Sequence, residues 1–422
     1  MTIQLVIALF SASLFAQWTP VNNGLDNFPP TTLWPFAEEM VLGTDGGGLY
    51  KTADNGENWV NISGNLGNLH VNDIRGFNSL TSMFVATEGG PFVTMDMADY
   101  TDCTSTGLSN TDINYFWWGN EDMGGEFMVG TNGDGVFGSD DYAGPWLALN
   151  NGLSGDALIV NDMGGYSDGS VSYTVMATDG GTYWGIDNAT VWEEKNNGLS
   201  GEALKVKRLA GLGTFILAAT HGGLYYTLDL GESWISLISD EKLNTLILVM
   251  SSVSPTGFMC LAFGENGFYS EDFMNWTQLN MGGLEGEVMT AHANSTHVFL
   301  GVTTEKKVGK ESGGVYRKPL DQILVGIEDM PEQKSLAGLD QNYPNPFNTS
   351  TKIAYSLEST GFVSLKIYDI FGKVIQTIVN ESQQSGDYIY TFNKGDLQPS
   401  TYFYSLEFEN KVVETKRMVV LK

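Results

Sequence analysis

The chain has 422 residues, 51 of them glycine, with 12% aromatic and only 17% charged positions. That mixture, with no long Ala/Glu/Lys/Leu periodicity, predicts many short strands joined by tight turns and excludes a helical bundle or coiled coil. The formal net charge is −29, and it is concentrated: from Asp340 onward there are 9 acids and 8 bases, whereas the first 339 residues hold 41 acids and 13 bases. So acidic a surface excludes nucleic acid and anionic lipid as partners.

In chain order, residues 2–16 come first. They are uncharged, mostly apolar and end Ser13-Leu14-Phe15-Ala16. This is the pattern of a secretory signal, residues 1–16, cleaved after Ala16. The run is too short for a comfortable membrane span.

From residue 17 the sequence repeats. Seven aromatics, Tyr50, Phe92, Phe137, Tyr183, Tyr225, Tyr269 and Tyr316, follow a small residue, Thr and a Gly turn in strong or weak copies. Their spacings are 42, 45, 46, 42, 44 and 47 residues, the length of a four-stranded propeller blade. A second marker closes each repeat: Trp146 leads to Asn150-Asn151-Gly152-Leu153, and Trp192 to Asn196-Asn197-Gly198-Leu199. The seventh repeat lacks this last strand. Trp18-Thr19-Pro20-Val21-Asn22-Asn23-Gly24-Leu25 supplies it from the other end, so strand 18–25 is expected to close the final blade and leave no open edge. The expected architecture is all-β, with a seven-bladed β-propeller over residues 17–325. A β-solenoid is the alternative, but the repeat is long for one.

Two repeats carry a sharper motif between their third and fourth strands. Thr52-Ala53-Asp54-Asn55-Gly56-Glu57-Asn58-Trp59 and Thr227-Leu228-Asp229-Leu230-Gly231-Glu232-Ser233-Trp234 both read [S/T]-x-D-x-G-x-x-W, with degenerate copies at 94–100, 139–146, 187–192 and 270–276. An Asp carboxylate accepts turn N–H groups, Gly supplies the turn's φ, and Trp packs between blades. The motif resembles the Asp-box, or bacterial neuraminidase repeat. Residues 17–320 resemble the superfamily of sialidases, xyloglucanases, sortilin-type ectodomains and photosystem II assembly factor-like proteins. The resemblance implies a fold, and a structural role for Asp54, Gly56, Trp59, Asp229, Gly231 and Trp234.

Residues 326–340 are polar and read as a linker. Asn342-Tyr343-Pro344-Asn345-Pro346-Phe347-Asn348 then opens a tail, 341–422, of short alternating strands, expected to form an immunoglobulin-like β-sandwich. With the Ile367–Lys373 segment and the ending Lys416-Arg417-Met418-Val419-Val420-Leu421-Lys422, the tail resembles the type A C-terminal sorting domain of the type IX secretion system. Pro399-Ser400 departs from the Ser-Gly usual in that family. The resemblance implies the type IX machinery as a partner and a secreted or cell-surface destination.

For chemistry, the sequence offers few signals. Cys103 and Cys260 lie in non-neighbouring repeats, which argues against a disulfide or thiol metal site. The four histidines form no metal-binding motif. Turns between second and third strands carry Asp45, Glu88, Asn132, Asp134, Asp179, His221, Glu265 and Glu305. These form an acidic rim at one channel mouth, either ordinary turn polarity or a site for an amine or calcium. No cofactor is required. Asp73, Tyr115, Asp162 and Arg208 share a position on innermost strands and are expected to meet in the channel. Asp73 and Asp162 are either a glycosidase pair, which needs about 5–9.5 Å between carboxyls, or part of a plug of paired charges. A sialidase is disfavoured, because only Arg75, Arg208 and Arg317 are available where bidentate carboxylate recognition wants a cluster. Trp117, Trp118 and Trp184 are either sugar-stacking or inter-blade residues. The expected function is a monomeric, non-catalytic module for glycan or surface-protein binding or adhesion. The alternative is a glycoside hydrolase or lyase acting on extracellular polysaccharide.

Overall fold

The computed structural model describes residues 17–36, 39–76, 81–118, 127–167, 171–186, 191–250, 258–304, 312–323, 337–368, 374–395, 397–398, 400–409 and 411–421. The signal segment 1–16, Glu305, the 187–190 part of one degenerate motif and most of the linker lie outside the described residues.

Seven four-stranded antiparallel sheets follow one another: 30–61, 71–102, 113–148, 160–194, 206–239, 243–278 and 287–319, the last completed by Thr19–Pro20. They are numbered blades 1 to 7. Their innermost strands are Pro30–Phe36, Val71–Gly76, Ile113–Trp118, Val160–Ser167, Val206–Leu212, Leu243–Met250 and Glu287–Ala293. Each touches the next, and the seventh touches the first, so the ring is closed. All seven marker aromatics fall on third strands.

The seam of the ring is the N-terminal strand. Thr19 pairs with Arg317 and Pro20 with Tyr316. The paired strand is shorter than 18–25, because from Asn22 the chain turns: Leu25 N–H donates to Asn22 O at 3.1 Å.

Second strands are buried along most of their length, and Met83–Thr87 along all of it, because each sheet is packed on both faces by neighbouring blades. That is why they read as continuous apolar runs rather than alternating ones. Fourth strands such as Leu147–Ala148 are exposed.

The repeated Asn-Asn-Gly-Leu segment is an inter-blade clamp. The first Asn grips its own third strand: Asn150 Oδ1 accepts Val136 N–H at 2.8 Å, and Asn196 Oδ1 accepts Thr182 N–H at 2.8 Å. The second Asn offers its carbonyl to the next blade's Trp. Trp59 N–H donates to Asn23 O, Trp192 to Asn151 O and Trp234 to Asn197 O, at 2.8–2.9 Å. The Gly passes so close that a Cβ on Gly152 would lie 2.1 Å from Trp192 O, and its φ is +98°. Only glycine tolerates both.

The Thr52–Trp59 turn is self-contained. Asp54 accepts Asn58 N–H at 2.9 Å and Thr52 Oγ1 at 2.8 Å, while Thr52 Oγ1 accepts Gly56 N–H at 2.9 Å. Asp229, Ser233, Thr227 and Gly231 repeat the pattern at 2.7–3.0 Å. Trp59 and Trp234 then reach across to the preceding blade, donating to Val21 O and Lys195 O at 2.8 and 2.9 Å. Trp184 is inter-blade core, 2% exposed. Cys103 and Cys260 are both buried and free.

The tail holds a three-stranded sheet, ordered Ala337–Leu339, Ser350–Leu357, Gly386–Asn393. A four-stranded sheet is ordered Val374–Gln383, Gly361–Tyr368, Ser400–Phe408, Lys411–Val420. One core joins them, with Ile353, Leu357 and Phe392 from the first and Leu365, Tyr404 and Met418 from the second. The linker reading 326–340 needs correction at its end. Ala337–Leu339 pairs with 355–357, because Leu339 has an apolar slot to fill and Asp340 O accepts the Tyr404 hydroxyl at 2.8 Å. The opening motif sews the tail shut. Asn345 Oδ1 accepts Val419 N–H at 2.8 Å, and Leu421 N–H donates to Phe347 O at 2.7 Å. The tail leans on blade 6, where Asn275 Nδ2 donates to Thr415 O at 2.9 Å.

Candidate functional site in the central channel

Every innermost strand breaks register at the same place. The shift falls between Pro30 and Thr32, and likewise across Asn72, Asn114, Asn161, Lys207, Asn244 and Met289. A bulge spends one residue without a ladder partner and re-aims the next. The bulged residues tie blade to blade: Asn72, Asn161 and Asn244 donate to Ile113 O, Val206 O and Val288 O at 2.8–3.0 Å.

The seven residues after the bulges are Thr32, Asp73, Tyr115, Asp162, Arg208, Thr245 and Thr290. All seven line one chamber of about 360 Å³ in the channel. Four of them are the residues whose shared position was legible in the sequence. Two residues further along, Trp34, Arg75 and His292 line the same chamber. The alternation of strand residues places them there, a signal present in the sequence but passed over in nominating the site.

The charges form a paired layer. Arg75 Nε donates to Asp73 at 2.8 Å, and its Nη2 stands 3.9 Å from Asp162. Arg208 stands 3.7 Å from Asp162 and 4.0 Å from Asp73. Arg75 lies between two rings, 5.1 Å from the Trp34 centroid and 4.2 Å from Tyr115. Asp73 and Asp162 are 2% and 5% exposed. Each carboxylate faces a guanidinium, Asp73 that of Arg75 and Asp162 that of Arg208. Buried acids without counter-ions are costly, and the two guanidiniums answer that cost. Burial, then the field of Asp162 and Asp73, pushes the Tyr115 hydroxyl well above its ordinary value, although the two arginines oppose this. Burial, then the arginines, hold His292 down to about 4.

The rim lies at the starts of the innermost strands, around a funnel of about 940 Å³ lined by Asp45, Glu88, Glu265 and Glu287. It is less acidic than its turns imply. His70 bonds Asp45 and stands 3.9 Å from Glu88; the Asp45 bond raises its pKa. Lys242 pairs with Glu287 at 2.6 Å, and Lys207 with Asp179. Asp179 and His221 do not join Asp45 among the funnel residues. They sit near Lys207, and burial, then that lysine, lowers the His221 pKa. Asp134 is half-buried and accepts the Ser109 hydroxyl at 2.8 Å. Arg317 is outside the channel, bound to Glu57 and Asn55 O of blade 1. Trp118 is 44% exposed at the end of its strand.

The fold and channel define an all-β, propeller-like protein with a separate C-terminal module. Residues 341–421 match the family model of the secretion system C-terminal sorting domain. That tail marks a protein that the type IX secretion system delivers to the cell surface or releases. No described helix is long and apolar enough to cross a membrane. Two structures of the extracellular domain of BT4673 from B. thetaiotaomicron share 13% identity with this chain. They have TM-scores of 0.54 and 0.55, each covering 96% of this chain and 59% of that one. The chain thus spans about three fifths of that domain's length, and the likeness is one of fold. YCF48 from Cyanidioschyzon merolae is a looser match: 12% identity, 72% of this chain, 98% of that one, TM-score 0.49. No curated protein matches the sequence.

Proposed function

We propose that the protein is a non-catalytic binding module, exported through its sorting tail, whose propeller engages a glycan or surface-protein ligand as a monomer. The observation that carries this is the state of the channel carboxylates. Asp162 accepts Met163 and Leu209 N–H at 3.0 and 2.7 Å, and Asp73 accepts Arg75. Neither is placed to move protons for a substrate, since a general acid or base must reach the reacting atom. The turn at Thr52–Trp59, read as an Asp-box, and the tail, read as immunoglobulin-like, belong to the scaffold in this account. So does the removal of residues 1–16 as a signal. No cofactor is needed; calcium would meet rim acids already holding His70 and Lys242.

The test is a panel of extracellular polysaccharides assayed for new reducing ends or unsaturated products, beside a glycan array. Binding without turnover is expected. Turnover that disappears in Asp73→Asn and Asp162→Asn would replace this reading with the hydrolase or lyase.

A further inference from the structure

Donors and acceptors in the channel chamber do not balance. Both oxygens of Asp73 are engaged, by Arg75 Nε at 2.8 Å and by the Thr32 hydroxyl at 3.5 Å. Both oxygens of Asp162 are engaged by backbone N–H groups at 3.0 and 2.7 Å. The Tyr115 hydroxyl donates to Met163 O at 2.9 Å. On the donor side, Arg208 makes no hydrogen bond among the described residues. Its closest carboxylate oxygens are at 3.7 and 4.0 Å, and its Nη1 is buried without a partner. His292 Nδ1 lies 2.9 Å from Ala293 N and 3.3 Å from Ala293 O; the shorter contact, in which the ring nitrogen accepts, puts the proton of the neutral ring on Nε2.

Charge does balance. Two carboxylates face two guanidiniums within about 4 Å. A carboxylate ligand would add an uncompensated charge beside desolvated acids, in a chain of net charge −29. An uncharged ligand rich in oxygen acceptors answers the idle donors without that cost, and an orphaned buried donor is itself expensive. Trp34, partly exposed in the chamber wall, offers an apolar ring edge beside His292 at 5.8 Å. The volume, about 360 Å³, falls in the range of small-molecule pockets, about 300–1,000 Å³.

We infer that this chamber, not the acidic rim, is the ligand pocket, and that it takes a neutral sugar ring whose oxygens accept from Arg208 and His292 while its C–H face lies against Trp34. The inference rests on the binding reading above and names its site and ligand class.

The full chain is titrated with the methyl glycosides of glucose, galactose, mannose and xylose, and with glucuronate and galacturonate, by saturation-transfer NMR and calorimetry. Trp34→Ala and His292→Phe are the chamber variants, each checked for folding by near-ultraviolet circular dichroism. Asp45→Asn with Glu88→Gln is the rim control. At least one neutral glycoside is expected to bind, with uronates at least ten-fold weaker. Its affinity falls at least ten-fold in whichever chamber variant folds and is unchanged in the rim control. Tighter uronate binding, binding indifferent to both chamber variants, or binding by none of the glycosides would overturn the pocket. Indifference to the chamber variants leaves the binding module standing, whereas polysaccharide turnover removes the module reading itself.

Discussion

Val21 and Val315 hold the ring shut from opposite ends of the propeller: Val21 N–H donates to Val315 O at 2.8 Å. Asn22 Oδ1 accepts Val315 N–H in return at 2.6 Å, across 293 residues. Asn22→Ala leaves that buried N–H without an acceptor, at a cost of about 1–3 kcal/mol. Chemical denaturation should show the loss as a lower midpoint with an unchanged slope. Trp18→Ala removes a ring that packs edge-on to Phe263 and is 2% exposed, and should cost more, about 3–5 kcal/mol.

The inter-blade clamp makes a separate prediction. Gly152→Ala must hold a positive φ and also displace the Trp192 carbonyl. Strained non-glycine backbone alone costs about 1–3 kcal/mol. Gly133, also at positive φ but with no atom near its absent Cβ, should lose less on the same substitution. Melting temperatures of the two variants give the comparison.

The charge layer should behave as a coupled unit. Asp73→Ala leaves Arg75 facing the channel with only distant Asp162 for company, and breaking a buried pair costs about 3–5 kcal/mol. Asp73→Leu with Arg75→Met removes both charges and should recover most of that loss. A double-mutant cycle by urea unfolding measures the coupling; additive effects would dissolve the layer into independent residues.

His292 gives the pH dependence a sign. Its folded pKa, about 4, lies below its ordinary 6.5 because of burial and the guanidiniums of Arg75 and Arg208. Between these values the unfolded chain takes up a proton that the folded chain refuses. Stability contributed by the neutral ring is therefore full above about pH 6.5 and declines as the pH falls toward 4. In His292→Phe that part of the acid limb should flatten when unfolding is measured across the window.

Much of this was legible in the residues. The aromatic period marks third strands because each blade repeats one packing problem, and the Asn-Asn-Gly-Leu copy after Trp18 exposed the seam. The shared position of Asp73, Tyr115, Asp162 and Arg208 followed from aligning innermost strands. The innermost strands of blades 1 and 6 gave no such signal: Pro30–Phe36 carries two prolines, and Leu243–Met250 is mostly apolar. The bulges were invisible, since an extra residue in a strand has no compositional mark. The second layer, Trp34, Arg75 and His292, lies two residues beyond the first and was open to the alternation of the strands alone. The rim was read from turn residues alone, while the partners that temper it, His70, Lys207 and Lys242, come from neighbouring strand starts.

Hydrogen exchange at the Val21 amide, with the 312–319 strand as its partner, tests ring closure directly. Closure predicts that Val21 exchanges as slowly as the amides of the buried Val298–Val302 segment, and that deleting residues 17–25 accelerates exchange across 312–319. A Val21 amide exchanging at the rate of free peptide in the intact chain, with 312–319 indifferent to the deletion, would contradict it.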